Sequence, residues 1–405
     1  MRSRSSLLRR ALRAATSTSL LLGVGLLALS ANAQPKPATS AAAGGKDRVE
    51  RLLRSLTQDE AIDLLGGVGF ATHAVPRLGI PSFDTSDGPS GLRWPTPSTA
   101  YAGGIALAAS WDVALAGRVG VELGRDAQAR GSEFLLGPGV NLYRAPMNGR
   151  NFEYFGEDPW LASRIAVAYV QGVQKQGVSA TIKHFVGNDS EYARRTSDSG
   201  IDERALREMY LPAFEAAVKE AKVGAVMSGY NLTNGEHMTQ NGYLVTEVLK
   251  KQWGFDGVYM SDWDATHDGV AAANAGLDLE MPTAKFMTRT TLAPALRDGR
   301  VSREVVDDKL RRLLGLAERF GWLDESGADV SISRYNQAGR EVARQGALEG
   351  LVLLQNAGNL LPLDPTRTKN IAVIGPLAHP GEPTAGGSGK VATFQNVSFL
   401  RGISE

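Results

Sequence analysis

The sequence predicts an α/β protein: a (β/α)₈ TIM-like barrel followed by an incomplete α/β sandwich domain. Short apolar runs alternate with amphipathic helical patterns from about residue 47 to residue 322, which is typical of a parallel sheet. That length is close to the roughly 250 residues of a typical barrel. Each strand candidate is followed at once by polar residues, where barrel proteins carry their chemistry. A doubly wound open sheet is the alternative fold.

Residues 1–33 predict a secretory signal peptide. Five arginines precede the apolar run Leu20–Leu29, and an Ala-Asn-Ala cleavage site ends at Ala33. An uncleaved anchor is the alternative, and an arginine pair leaves a twin-arginine export route open. Loss of the five arginines changes the formal net charge from +1 to −4, which disfavours nucleic-acid binding. We expect an exported, periplasmic or extracellular protein with no nucleic-acid partner and, after signal cleavage, no membrane association. The oligomeric state is not predicted.

The barrel is predicted over residues 47–322, after a flexible tether rich in Pro, Ala and Gly at 34–46. A helix with a serine cap, Ser302–Gly321, closes this unit. The other elements predicted inside it are strands at Ser179–Ile182, Gly224–Met227, Gly257–Met260 and Leu277–Glu280, and helices at Trp160–Gln176, Glu203–Lys222 and Tyr243–Lys251.

A polar, irregular linker is predicted at residues 323–336, before the truncated start of the sandwich domain at 337–405. That start contains a predicted helix, Gln337–Gly350, and two short apolar strands, Leu351–Leu354 and Ile371–Ile374.

Carboxylates are the leading catalytic candidates. The chain has no cysteine, and it lacks the HExxH, Walker and strand-linked GxGxxG motifs, so neither a metal nor a cofactor is predicted. Asp262 follows a strand candidate and stands beside Trp263, whose flat ring suits a sugar face. Such a carboxylate can attack an anomeric carbon. The equal alternative is that Asp262 caps the following helix, and Asp264 is the competing carboxylate.

Four polar residues near other strand ends are weaker candidates individually. Lys183 and His184 could hold sugar hydroxyls, but an ion-paired lysine and a core histidine are the usual interpretation of such a pair. Asp87 is by itself typical of a turn, and Arg150 of a structural ion pair.

Seven longer segments occur in one order: Ser86–Arg93, Gly149–Pro159, Lys183–Phe185, Glu203–Glu208, Met227–Asn231, Gly254–Trp263 and Gly276–Pro282. In these segments the sequence resembles glycoside hydrolase family 3, a group that contains many β-glucosidases. The resemblance covers roughly residue 47 to the C-terminus.

The resemblance implies roles for individual side chains. It implies that Asp262 is the nucleophile that forms a glycosyl-enzyme, and we expect nearby cations to favour its ionised form. The residues that it implies at the substrate are Asp87, Arg150, Lys183 and His184 on the sugar hydroxyls, Arg194 as a lining residue, Tyr230 against the nucleophile and Trp263 as a platform. Arg93 is expected to hold the Asp87 loop without touching substrate.

The implied activity is that of a retaining, exo-acting β-glycosidase that releases terminal β-D-glucosyl residues. Retention needs a second carboxyl about 5–5.5 Å from the first. The resemblance implies that this Glu lies in the second domain, beyond the segment Gly386–Lys390, and so outside this chain. Glu382 is the nearest local candidate and is typical of a surface residue. The loop Phe185–Glu191 lacks the His that the N-acetylglucosaminidase-like branch uses.

We interpret the chain as a fragment of a longer protein, with a truncated gene product as the alternative. The 405-residue chain alone is expected to hydrolyse aryl β-glucosides very slowly. A β-xylosidase or mixed-specificity glycosidase is the nearest alternative activity. A catalytically impaired carbohydrate-binding protein is the alternative of another class.

Overall fold

The computed structural model describes residues 42–384 and 386–405, with side chains from residue 44 onward. The predicted signal peptide and residues 34–41 of the predicted tether lie outside this range. The rest of the tether prediction is wrong, because a helix already begins at Ala42. Its apolar residues Val49 and Leu53 are buried, and it packs against the helix Arg303–Phe320.

Helices and strands alternate through most of the described chain. The strands are β1 Gly67–Val68, β2 Ala71–Thr72, β3 Thr85–Asp87, β4 Phe134–Leu136, β5 Ser179–Phe185, β6 Asp198–Ser199, β7 Ala225–Ser228, β8 Leu232–Thr233, β9 Glu236–His237 and β10 Val258–Met260. The α-helices are α1 Ala42–Ser55, α2 Gln58–Asp63, α3 Gly104–Ala109, α4 Val113–Gln128, α5 Pro159–Gln174, α6 Glu203–Ala205, α7 Pro212–Lys219, α8 Gly269–Ala275, α9 Arg289–Arg297, α10 Arg303–Phe320, α11 Gln337–Glu349 and α12 Phe399–Ser404. Two π-helices span Leu206–Tyr210 and Tyr243–Gln252, and 3₁₀ turns span Pro76–Leu78, Asn151–Glu153, Ala357–Asn359 and Gly387–Gly389.

Five parallel strands form the central sheet in the order β10-β7-β5-β4-β3. Every residue of β4, β5, β7 and β10 is buried, because helices cover the sheet. Single bridges continue the pairing from Met260 to Leu279, from Glu280 to Gly66, and from Asp84 to Ala71. The predicted α/β class with a parallel sheet is confirmed, whereas closure into eight parallel strands stays a prediction.

Some predicted elements of the barrel unit differ from those in the structure. The strand predicted at Leu277–Glu280 is present only as single bridges at Leu279 and Glu280. The strand predicted at Ser179–Ile182 continues to Phe185, so Lys183 and His184 belong to the strand itself. The helix predicted over Glu203–Lys222 is divided by a π-turn that ends just before Pro212. Proline has no backbone N–H and cannot continue the helical hydrogen bonding that precedes it.

The two strands predicted after residue 350 are wrong. Residues 351–354 and 371–374 are irregular, and Leu354 and Ile374 are more than nine-tenths exposed. Neither segment pairs with another strand in the described part of the chain, and an apolar run alone does not satisfy its backbone groups. The preceding helix is confirmed as α11, with Asn336 as its cap.

Within residues 42–384 and 386–405, no helix combines the length and apolar character that crossing a bilayer requires.

Candidate active site

Asp262 lies just beyond the carboxyl end of β10 and is 6% exposed. Its N–H donates to Ser228 Oγ at 3.0 Å, and its Oδ1 accepts the N–H of Trp263 at 2.7 Å. The alternative that Asp262 caps the next helix is wrong, because Asp268 accepts the first N–H groups of α8. The competing Asp264 is ion-paired with Lys285 at 2.6 Å.

A buried group of opposite charges lies beside this carboxylate. Arg150 Nε donates to Glu153 Oε1 at 2.5 Å, and Arg150 Nη1 donates to Glu191 Oε1 at 3.1 Å. Lys183 Nζ lies 3.5 Å from both Glu153 Oε2 and Asp87 Oδ1. The first three family-like segments, which are far apart in the sequence, therefore bring Asp87, Arg150 and Lys183 into one connected cluster.

His184 connects this cluster to Asp262. Arg150 Nη2 donates to its Nε2 at 2.8 Å, so Nε2 is the unprotonated nitrogen of the ring. Nδ1 then carries the hydrogen and donates to the Tyr154 hydroxyl at 3.1 Å, which donates in turn to the carbonyl oxygen of Asn188. His184 Nε2 lies 3.5 Å from Asp262 Oδ2, and a neutral ring makes this contact dipolar and not an ion pair.

Burial dominates the acid–base properties of these groups. It holds the pKa of His184 well below its ordinary value, with help from Arg150 and Lys183. Burial also raises the pKa of Asp262, and this outweighs the opposing pull of Arg150 and Lys183. As expected, Arg150 and Lys183 each favour the ionised form of Asp262. Burial has the larger effect, so the pKa of Asp262 is raised and not lowered. Burial favours the neutral acid at Glu153 too, yet there Lys183 and Arg150 prevail and lower its pKa.

Asp87 ends β3, and its carboxylate is shared between two cations. Arg93 Nη1 donates to Asp87 Oδ2 at 3.2 Å, while Lys183 faces Oδ1. Arg93 is half exposed and holds the loop that carries Asp87, as expected for a residue that supports the loop.

Tyr230 and Arg194 form the side of the site near Glu191. The Arg194 guanidinium lies 4.2 Å from the centre of the Tyr230 ring and donates to Glu191 Oε2 at 3.1 Å. Burial and the Asp262 carboxylate together raise the pKa of the Tyr230 hydroxyl, which places this hydroxyl in the field of the carboxylate.

Trp263 is half buried and packs on Phe70, with ring centres 5.0 Å apart and planes tilted by 42°. Phe70 is 45% exposed, so the pair presents an apolar surface beside Asp262. Arg195 holds the backbone that carries Trp263, because it donates to the carbonyl oxygens of Trp263 and Asp264.

Sequence reasoning assigned no role to Glu153, Glu191 or Phe70. Glu153 stands three residues after Arg150, and Glu191 three residues before Arg194, a spacing that signals an ion pair on a helical turn. Phe70 carries no signal, because its contact with Trp263 joins residues far apart in the chain.

No group of three or more His, Asp or Glu side chains in the described part of the chain has an arrangement suited to a metal ion. The cations of the cluster are instead Arg150 and Lys183. The arrangement can therefore bind a polyhydroxylated ligand through charged donors and acceptors, with a carboxylate beside it.

Comparison with known proteins gives a consistent result. Residues 55–316 match the Glycosyl hydrolase family 3 N terminal domain, and residues 351–405 match the Glycosyl hydrolase family 3 C-terminal domain. A β-glucosidase of Rhizobium radiobacter is 45% identical over 362 residues, which are 88% of this chain and 44% of that protein. Thermostable β-glucosidase B of Acetivibrio thermocellus is 42% identical over 354 residues, 84% of this chain and 46% of that protein. The chain thus spans a little under half the length of these curated relatives.

Solved structures agree in fold. β-Glucosidase 3B from Thermotoga neapolitana in complex with glucose superposes with a TM-score of 0.81 at 37% identity, covering 88% of this chain and 54% of that chain. The β-glucosidase from Kluyveromyces marxianus in complex with glucose gives a TM-score of 0.81 at 37% identity, covering 88% of this chain and 44% of that chain.

Proposed function

This chain belongs to glycoside hydrolase family 3, and from that membership we propose that it carries the nucleophile and sugar-binding groups of a retaining, exo-acting β-glucosidase. The observation that carries the proposal is the placement of Asp262. Its carboxylate lies 3.5 Å from His184, in the field of Arg150 and Lys183. A carboxylate at the carboxyl end of a parallel strand, beside a group of hydroxyl-binding side chains, suits attack on C1 of a sugar.

In the proposed first step, an Asp262 oxygen forms a bond to C1 as the bond from C1 to the leaving oxygen breaks. The Trp263 N–H holds Oδ1 at 2.7 Å, so Oδ2 is the oxygen free to attack. Positive charge develops on the sugar ring in the transition state, and the ionised carboxylate stabilises it. Burial raises the pKa of Asp262, so its carboxylate is more basic than an exposed aspartate and, once ionised, is a more reactive nucleophile.

The hydroxyls of the sugar are assigned to the charged cluster. Asp87 can accept two hydroxyl hydrogens, while Lys183 and Arg150 can donate to hydroxyl oxygens. Lys183 is 2% exposed and Arg150 8%, so a substrate lacking one hydroxyl leaves a buried donor with an unmade hydrogen bond. Such unpaired groups are a strong source of selectivity, and this supports recognition of a specific sugar.

The general acid is proposed to be a carboxyl from outside this cluster. A general acid needs a raised pKa, and that of Glu153 is lowered by Lys183 and Arg150. Glu191 is engaged by Arg150 and Arg194, and Asp87 by Lys183 and Arg93. None of these three carboxylates is suited to protonating a leaving group.

The test uses a 2-deoxy-2-fluoroglucosyl fluoride, because fluoride leaves without protonation and labelling therefore needs no general acid. We expect the chain to gain one fluoroglucosyl group, located on Asp262 by peptide mass spectrometry. Asp262→Asn should remain unlabelled. Asp264→Asn is the matched control, since its carboxylate is paired with Lys285, and it should be labelled like the wild type.

Two outcomes contradict the proposal. Glucose binding without labelling indicates a carbohydrate-binding protein that lacks the nucleophilic step. Faster labelling by the corresponding 2-fluoroxylosyl fluoride indicates a β-xylosidase.

Export is proposed on the sequence of residues 1–33 alone. Amino-terminal sequencing of the protein recovered outside the cytoplasm should begin at Gln34. An intact first methionine on that material would contradict cleavage.

A further inference from the structure

A short segment from the C-terminal family match packs onto the polar cluster of the N-terminal match. The 3₁₀ turn Gly387–Gly389 brings Ser388 Oγ to within 2.8 Å of Glu153 Oε2, to which it donates a hydrogen bond. Gly389 and Val391 are buried, and the N–H of Ser98 donates to the carbonyl oxygen of Ala392 at 2.7 Å. The segment is thus bound to the sheet-bearing part of the chain at several points.

The same segment also contacts the loop that carries Asp87. Gly91 lies four residues after Asp87 with a φ of +134°, in the region that favours glycine. A Cβ there would lie 2.8 Å from Val391 Cγ2 and 2.5 Å from the Thr99 carbonyl oxygen. Side chains larger than hydrogen are therefore excluded where the segment and the Asp87 loop meet.

The acceptor capacity of Glu153 explains why a hydroxyl is needed. Its side chain is completely buried, so water does not satisfy it. Oε1 accepts from Arg150, but Lys183 lies 3.5 Å from Oε2, too far for a good hydrogen bond. Ser388 supplies the short bond that Oε2 otherwise lacks, and it does so without adding charge.

We infer that Ser388 is a positioning residue: by holding the Glu153 carboxylate in place, it keeps Arg150 and Lys183 aligned for sugar hydroxyls. This inference rests on the proposed function, because the aligned groups are those assigned to substrate. The inference assigns to Ser388 an action through Glu153, to which its hydroxyl is bonded, and no contact with the nucleophile.

The charged groups around Glu153 set the direction of its pH response. Arg150 and Lys183 face it directly and lower its pKa against the effect of burial, and Ser388 lowers it further. The adjacent Tyr154 hydroxyl is neutral, since burial and Glu153 itself keep its pKa high. Beyond these neighbours, Asp87 shares Lys183, while His184 and Asp262 interact with both Arg150 and Lys183. Loss of the Ser388 bond must raise the pKa of Glu153, so its carboxylate becomes protonated at a higher pH.

The experiment measures glucose affinity by titration calorimetry from acid to neutral pH in four versions of the 405-residue chain: wild type, Ser388→Ala, Ser388→Thr and Thr384→Ala. A hydrogen bond to a buried carboxylate is lost in Ser388→Ala, and we expect about tenfold weaker glucose binding. Its loss of affinity on acidification should also begin at a higher pH than in the wild type. Ser388→Thr retains the hydroxyl and should restore both. Thr384→Ala, on the same segment but without a bond to Glu153, should match the wild type.

Two results overturn the inference. One is an unchanged affinity and pH profile in Ser388→Ala. The other is an equal loss at every pH that threonine does not restore, because a purely structural role gives that result.

Fluorosugar labelling separates this inference from the proposed function. If the wild type binds glucose but Asp262 is not labelled, the proposed catalysis fails and the role of Ser388 in binding stands or falls by the titrations. If Asp262 is labelled and Ser388→Ala behaves like the wild type, only the role of Ser388 fails. A wild type that binds no glucose overturns both.

Discussion

Two buried clusters of charged side chains lie beside β10. The first has an excess of buried acidic groups, and the second has an excess of basic groups. At the carboxyl end of the strand, acidic groups that include Asp262 share Arg150 and Lys183. Near the first residues of the strand, Lys250 and Lys309 share the carboxylate of Asp278. Asp278 Oδ1 accepts from Lys250 Nζ at 2.7 Å, and its Oδ2 accepts the N–H of Tyr259 at 2.8 Å.

In each cluster, burial shifts groups of the sign in excess toward their neutral form, and Lys250 shifts this way in spite of its bond to Asp278. Burial raises the pKa of Asp262, and burial lowers the pKa of Lys309 to about 7. The excess acidic group of the first cluster, Asp262, lies where we propose that a substrate binds, so it can react with that substrate. The second cluster lies in a closed core, where an unneutralised charge only lowers stability. Burial is common to both clusters. Whether a buried charge can bind a ligand or only destabilises the fold depends on the end of the strand at which it lies.

The largest expected effect comes from removing the carboxylate of the first cluster. Asp262→Asn should lower the rate of fluorosugar labelling by several orders of magnitude, because no nucleophile remains at C1. Its free energy of unfolding at pH 7, measured with urea, should equal or exceed that of the wild type, because a buried charge has been removed. A marked loss of stability would show that Asp262 is structural.

The second prediction concerns the carboxylate that neutralises the same cluster. Glu153→Gln leaves Arg150 and Lys183 buried without their shared partner, and it should destabilise the protein by about 3–5 kcal/mol in urea unfolding. Glu191→Gln is the matched control. Glu191 is 34% exposed, so its loss should cost less than about 1 kcal/mol. Equal effects of the two variants would contradict the importance of burial.

The third prediction concerns the second cluster and has the opposite sign. Lys309→Met should stabilise the protein by about 1–4 kcal/mol at pH 7, because an incompletely paired ammonium group is replaced by a side chain of similar length.

The pH dependence of Lys309 gives an independent check. Its pKa is about 7 in the folded protein against an ordinary value of 10.5, so between these values the unfolded chain binds more protons. Stability of the wild type should therefore rise with pH across this window. Urea unfolding at several pH values should show that Lys309→Met lacks this contribution. The same slope in both proteins would mean that Lys309 titrates normally.

The smallest expected effect is a shift in a pH profile. The Tyr230 hydroxyl lowers the pKa of Asp262, so Tyr230→Phe should raise it and move the acid limb of fluorosugar labelling upward by about a few tenths of a pH unit. Tyr192→Phe is the control, because Tyr192 is 87% exposed and should leave the profile unchanged. A downward shift in Tyr230→Phe would contradict the proposed interaction.

The sequence by itself determined the α/β class, the helices α5, α10 and α11, and three of the five strands of the central sheet, β5, β7 and β10. Those elements have apolar patterns long enough to define them, as the helix predicted at Ser302–Gly321 illustrates: it is observed as Arg303–Phe320, with Ser302 as its cap. The sequence also selected Asp262, Arg150, Lys183, His184 and Asp87, because the resemblance rests on short segments that contain them.

Only the tertiary structure decided which of these side chains are partners and which protonation states they hold. Glu153 and Ser388 are 235 positions apart, and the sequence gives no sign of their bond. The pKa of Asp262 likewise depends on a balance between burial, which raises it, and two cations from distant segments, Arg150 and Lys183, which lower it. The apolar runs after residue 350 illustrate the same limit, because a strand forms only where neighbouring strands satisfy its backbone groups. The local sequence pattern determines which helix or strand forms. Contacts between distant segments determine the burial and the partners of each side chain, and these in turn determine its protonation state.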